Sequence, residues 1–165
     1  MNPRWHDVAE ALRQEIAGYG GLLFLFEEQQ RFLFTRDADA VLRLSTEIEA
    51  QSHALHENRR ERERVVTAFA LAHNESPSST LRSLLPHFIN DVRPLIEALI
   101  TEINVLIHRV RRVSRHNHSL LTRTLEAQQQ LMRTLRPESF TQTYAPNGRV
   151  ALTTSRAEPA FRIAG

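Results

Sequence analysis

Between Asn90 and Arg136 one residue type returns in alternating steps of three and four, and few folds can accommodate such a run. The positions are Ile96, Leu99, Ile103, Leu106, Val110, Val113, Asn117, Leu120, Thr124, Ala127, Leu131 and Thr134, of which only Asn117, Thr124 and Thr134 are polar. This is the seam of a single long amphipathic helix. At 1.5 Å per residue such a helix is roughly 70 Å long, far longer than a small domain is wide. Its seam must therefore lie against other helices, and no sheet is needed. Asn90 or Asp91 can cap its start, and Pro94 is tolerable in the first turn, where amides have no intrahelical acceptor. Arg133 and Arg136 suit the negative end of the helix dipole, and Pro137 stops the helix. An asparagine on such a seam fixes register and orientation at some cost in stability.

Upstream, Trp5, Val8, Leu12, Tyr19, Leu22, Phe26 and Leu33 mark a first long helix, with Ile16 and Leu23 widening the stripe. Gly18, Gly20 and Gly21 lie inside it, each costing ~1 kcal/mol relative to alanine. Either the helix bends there or a neighbouring helix comes close. Thr35 to Asp39 reads as a tight connection with Asp37 as N-cap. A second helix then carries Val41, Leu44, Ile48, Leu55, Val65 or Val66, and Phe69. Its middle, Ala50 to Arg64, is polar and contains Arg59-Arg60-Glu61-Arg62-Glu63-Arg64. That run reads as a solvated helix with spaced ion pairs, since Glu61 and Glu63 would repel a phosphate backbone. Asn74 to Ser79 breaks the chain, and Thr80 to Leu85 reads as a short helix capped by Ser79 and ended by Pro86.

The expected fold is thus all-α: a long antiparallel helical hairpin or bundle over residues 1–136, with three long helices and one short one. Residues 137–165 are expected to form an irregular, mobile tail. Its prolines lie at 137, 146 and 159, yet it keeps Phe140, Tyr144, Val150, Leu152, Phe161 and Ile163. Two readings stay open for it, a frayed end or a segment that orders on a partner.

Composition removes several function classes. The chain has no cysteine, so disulfides, thiol catalysis and cysteine-ligated metals are excluded. The charged first twenty residues do not resemble a secretory signal, and the longest apolar run, Gly20 to Phe26, is too short to span a membrane. A soluble, cytoplasmic protein is the expectation. All 21 basic residues are arginine, so the basic isoelectric point partly reflects the guanidinium group, and net charge is only +2. Residues 1–58 carry 5 Arg and 10 acids, whereas residues 59–165 carry 16 Arg and 9 acids. Two helical halves of opposite sign attract one another without any partner.

No glutamate stands three residues before a histidine, as di-iron bundles require, and His116 and His118 point to different faces. There is no phosphate-binding glycine loop and no nucleophile elbow. The expectation is a protein without catalytic residues, metal or cofactor. The basic block Arg109, Arg111, Arg112 and Arg115, with His108, His116 and His118, flanks the seam. There arginine stems commonly cover the core while their heads pair with acids of an adjacent helix.

One family shares this layout. Leu22-Leu23, Glu27-Glu28, Leu33, Asp37, Leu42, Leu44 and Glu47, followed by the arginine-rich segment, resemble the first helical hairpin of the FlgN family of flagellar export chaperones. Asn117 followed by Leu120-Leu121 resembles that family's Asn-x-x-Leu-Leu region. Thr143-Tyr144-Ala145-Pro146-Asn147-Gly148-Arg149 resembles its Tyr-x-x-x-Gly tail. The similarity runs in order over roughly residues 8 to 150. It implies a cytoplasmic chaperone that holds unassembled hook–filament junction proteins of the FlgK and FlgL type and hands them to the flagellar type III export apparatus. It also implies substrate contacts in the C-terminal part. The expected partner-binding residues are Leu120, Leu121, Leu125, Leu131, Met132, Leu135, Phe140, Tyr144 and Phe161. The alternative is a structural coiled-coil adaptor that self-associates through the long helix. Nucleic acid is not an expected partner, membrane insertion is not expected, and the expected state is a monomer or weak homo-oligomer.

Overall fold

The computed structural model describes residues 5–135, together with the strand backbones at 141–144 and 150–153. Helix α1 spans Trp5–Thr35 and helix α2 Ala38–Ala72, so only Arg36 and Asp37 join them. A single turn of helix, α3 (Leu81–Leu84), runs into a 3-10 turn at Leu85–His87, and helix α4 covers Arg93–Leu135. Strands β1 (Thr141–Tyr144) and β2 (Val150–Thr153) pair antiparallel, with Tyr144 opposite Val150. The expected irregular tail thus contributes two short strands. The chain divides into two compact units, Met1–Leu120 and Leu121–Gly165.

The first unit is built on the α1–α2 hairpin, and its tight turn has a local cause. Arg36 is left-handed (φ 58°), its amide donates to the Leu33 carbonyl, and the Asp37 amide reaches back to Phe32. These two bonds close α1 in a Schellman motif without the usual glycine. Asp37 then caps α2 as expected, its carboxylate accepting from the Ala40 amide at 3.0 Å. The far end of α2 closes the same way, with Asn74 at φ 59° and the Glu75 amide on the Ala70 carbonyl.

Inside the hairpin, Val8, Leu12, Tyr19, Leu22 and Leu23 of α1 meet Leu55, Val65, Val66 and Phe69 of α2. Leu84, Phe88, Ile96, Ile103, Leu106 and Val110 complete the core, and the Phe69 and Phe88 rings stack with centroids 4.5 Å apart. The glycines resolve into different roles. A Cβ at Gly18 would stand 2.8 Å from a Leu55 methyl, while one at Gly20 would meet nothing within 4 Å. Close approach of α2 therefore occupies Gly18, where Gln51 Nε2 also donates to the Gly18 carbonyl.

The polar middle of α2 is a solvated face with i,i+3 pairs, Arg60–Glu57 and Arg64–Glu61, as its pattern predicts. Arg62 departs from that reading. It turns inward and forms an ion pair with Glu15, which is buried on α1. The short helix is capped by Thr80, whose hydroxyl accepts from the Ser83 amide, one residue later than the expected Ser79. Asn90 and Asp91 lie in a turn before α4, and the Val92 and Arg93 amides both donate to the Ile89 carbonyl. The Arg93 guanidinium folds back onto the carbonyls of Leu85, which also accepts from the Phe88 amide, and of Pro86.

Candidate partner-binding surface

The seam of α4 changes environment along its length. Ile96, Ile103, Leu106, Val110 and Asn117 are buried, and Leu99 and Val113 are half-buried against the same core. Every described residue from Thr122 to Leu135 is exposed.

Asn117 sits at the last fully buried level, and the reason is a chain of hydrogen bonds through three helices. Its Nδ2 donates to the Phe26 carbonyl at 2.7 Å and to Gln29 Oε1 at 3.1 Å, both on α1. Gln29 Nε2 donates in turn to Ser45 Oγ of α2 at 3.0 Å, and that hydroxyl donates to the Val41 carbonyl. Gln29 is itself buried. The sequence reading identified Asn117 and missed its partner. The signal was present, because Gln29 falls at the step between Phe26 and Leu33 where the first seam should place an apolar residue.

Beyond this level the expected partner-binding residues divide into two groups. Leu120 and Leu121 are half-buried. Leu125, Leu131, Met132 and Leu135 are exposed by 57, 58, 50 and 68%, large values for apolar side chains. Leu131 falls on the steps of the seam, and Leu125, Met132 and Leu135 each stand one residue past a step, on its flank, so the four share a broad face of α4. Tyr144 is placed by its backbone alone, at the end of β1. Phe140 and Phe161 lie outside the described residues.

The electrostatics of this region are lopsided. Arg109 reaches Glu27 of α1 at 3.5 Å, which is the pairing across helices that the sequence suggested. Arg111, Arg112 and Arg115 do not follow it: they are exposed, and the Arg115 side chain turns back to the Arg111 carbonyl. Burial pushes the Tyr19 hydroxyl above its ordinary value, with Glu15 adding to the effect and Arg59, Arg62 and Arg111 opposing it. Three of the histidines have hydrogen-bond partners: His116 with Gln30 of α1, His87 with Glu75 and His73 with the Phe69 carbonyl. Among the described residues no group of three or more His, Asp or Glu could hold a metal ion. No helix among them is long and apolar enough to cross a membrane. What the arrangement offers is apolar surface on a helix, flanked by positive charge.

The family model described as FlgN protein matches residues 1–151. No curated protein and no solved structure matches the chain.

Proposed function

The chain belongs to the FlgN family of flagellar export chaperones, and from that we propose that its clients are unassembled hook–filament junction proteins of the FlgK and FlgL type. It holds them in the cytoplasm and passes them to the type III export apparatus. The role is one of binding and needs no chemistry. The observation that supports this reading is that α4, whose seam is buried as far as Asn117, carries an exposed apolar group beyond it, Leu125, Leu131, Met132 and Leu135. An amphipathic client segment that is unpaired before assembly can lay its apolar face on such a stripe in the helix-in-groove mode. Leu120, Leu121, Phe140, Tyr144 and Phe161 complete the proposed contact set.

The test is titration of purified FlgK- or FlgL-type protein against the full chain and its Leu131→Asp/Met132→Asp variant. Exposed residues do not hold the core, so melting should be unchanged while affinity falls by about tenfold or more, a loss of hot-spot size. Unchanged affinity would remove these residues from the client site. A homo-oligomer in light scattering that the same variant dissolves would favour the self-associating adaptor instead.

A further inference from the structure

From Ile103 to Leu125 the chain contains no aspartate or glutamate, yet it carries Arg109, Arg111, Arg112, Arg115 and Arg123. This differs from the α1–α2 hairpin. There Arg13, Arg31, Arg60 and Arg64 each have a glutamate three residues earlier on the same helix, and Arg62 has Glu15. On α4 only Arg109 is paired among the described residues of that stretch.

Arg115 stands three and four residues after the adjacent pair Arg112 and Arg111, and His108 lies one turn before that pair on the same exposed side of the helix. Like charges at this spacing repel, so the strip is an arrangement that an arriving negative charge relieves. We infer that the Arg111–Arg112–Arg115 strip is a docking surface for an acidic helical segment of a partner protein.

Two other occupants fit less well. The full chain has a net charge of only +2, and residues 1–120 carry 15 Arg against 16 acids. A long polyanion meets that whole field and gains little, whereas a short acidic helix needs only the local strip. A second copy of this chain would have to bring its own acids: Glu10, Glu15, Glu27, Glu28, Glu57 and Glu61 are already in ion pairs, and the exposed Glu47, Glu49, Glu97 and Glu102 do not stand at the three- and four-residue spacing that would match the strip. The chain's own tail carries an excess of arginine over acids and is excluded by sign. The inference does not rest on the client reading, because the leucines of that reading lie further along the helix.

The experiment uses the full chain and an alanine-based helical peptide carrying glutamates along one face, with the glutamine version as control. Fluorescence anisotropy should show binding of the glutamate peptide only. Arg111→Glu/Arg112→Glu/Arg115→Glu should weaken it by about tenfold or more, the scale of lost interfacial charge pairs. The Lys triple variant should retain binding, and circular dichroism should show helix content unchanged in both. Arg13→Glu/Arg60→Glu/Arg64→Glu, which reverses arginines that already have partners, should leave binding close to wild type. Equal loss in that variant would overturn the assignment in favour of a diffuse positive field. A single-stranded oligonucleotide of equal charge that binds more tightly than the peptide would overturn it in favour of a polyanion. Self-association abolished by the α4 reversal would replace the partner with a second copy.

Discussion

Gly18 and Gly20 are two residues apart on one helix, yet they face opposite demands. At Gly20 an added methyl meets open space, and alanine lowers the cost of ordering the backbone. Gly20→Ala should raise stability by up to ~1 kcal/mol in denaturant titration. At Gly18 the same methyl would press on a buried Leu55, so the propensity gain is spent on moving that side chain. Gly18→Ala should therefore fall short of Gly20→Ala by about 1 kcal/mol or more. Equal stabilisation at both positions would show that the two helices do not touch there. Arg36 offers the opposite substitution. A left-handed arginine carries a penalty of roughly 1–2 kcal/mol that glycine avoids, so Arg36→Gly should stabilise by about 1 kcal/mol.

For the helices, periodicity carried most of the information. The seams of α1, α2 and the first half of α4 are the residues that pack, and Asp37 caps as its position suggests. What periodicity could not convey is where a seam stops being covered. Ile103 and Leu131 occupy equivalent steps of one repeat, and nothing in their side chains separates them. The difference comes from which other helices reach that level, a tertiary fact. Ile103→Ala or Leu106→Ala should lower stability by ~2–5 kcal/mol, whereas Leu131→Ala should leave the melting temperature within error. The inward turn of Arg62 was equally hidden, because in sequence it is one arginine among four in a charged run. Only the buried Glu15 opposite it distinguishes it. The strands, too, escaped a reading based on helical period, being four residues each.

At the scale of the whole chain, every residue of the described core lies between Val8 and Val110. Truncation after Arg136 should therefore leave helix content and the melting midpoint nearly intact. A collapse of the melting transition would show that the tail belongs to the core. If the proposed function is right, the same truncated chain should bind FlgK- or FlgL-type clients about tenfold more weakly, because Phe140, Tyr144 and Phe161 are gone. Of the proposed contact set, the helical half can be placed: Leu125, Leu131, Met132 and Leu135 are exposed on α4. The repeat points to Leu131, and Leu125, Met132 and Leu135 stand one residue past its steps, while the tail aromatics were read from composition and resemblance.

A heptad seam is nearly periodic, and a periodic object can be mounted in several ways. Slid by seven residues, α4 would still offer apolar side chains to the hairpin, and the leucines left in solvent would change. The hydrogen-bond chain from Asn117 through Gln29 to Ser45 removes that ambiguity, since any other alignment strands buried amides without partners. Asn117→Leu alone should therefore cost about 1–3 kcal/mol, by leaving Gln29 half-paired. Adding Gln29→Leu should return most of that stability, because an apolar layer is self-sufficient. The double variant would, however, populate more than one alignment, visible as doubled amide resonances for α4. Three ordinary polar side chains thus act as the index mark on a sliding scale. They determine how stable the bundle is, and they also determine which stretch of the helix the molecule shows to its surroundings.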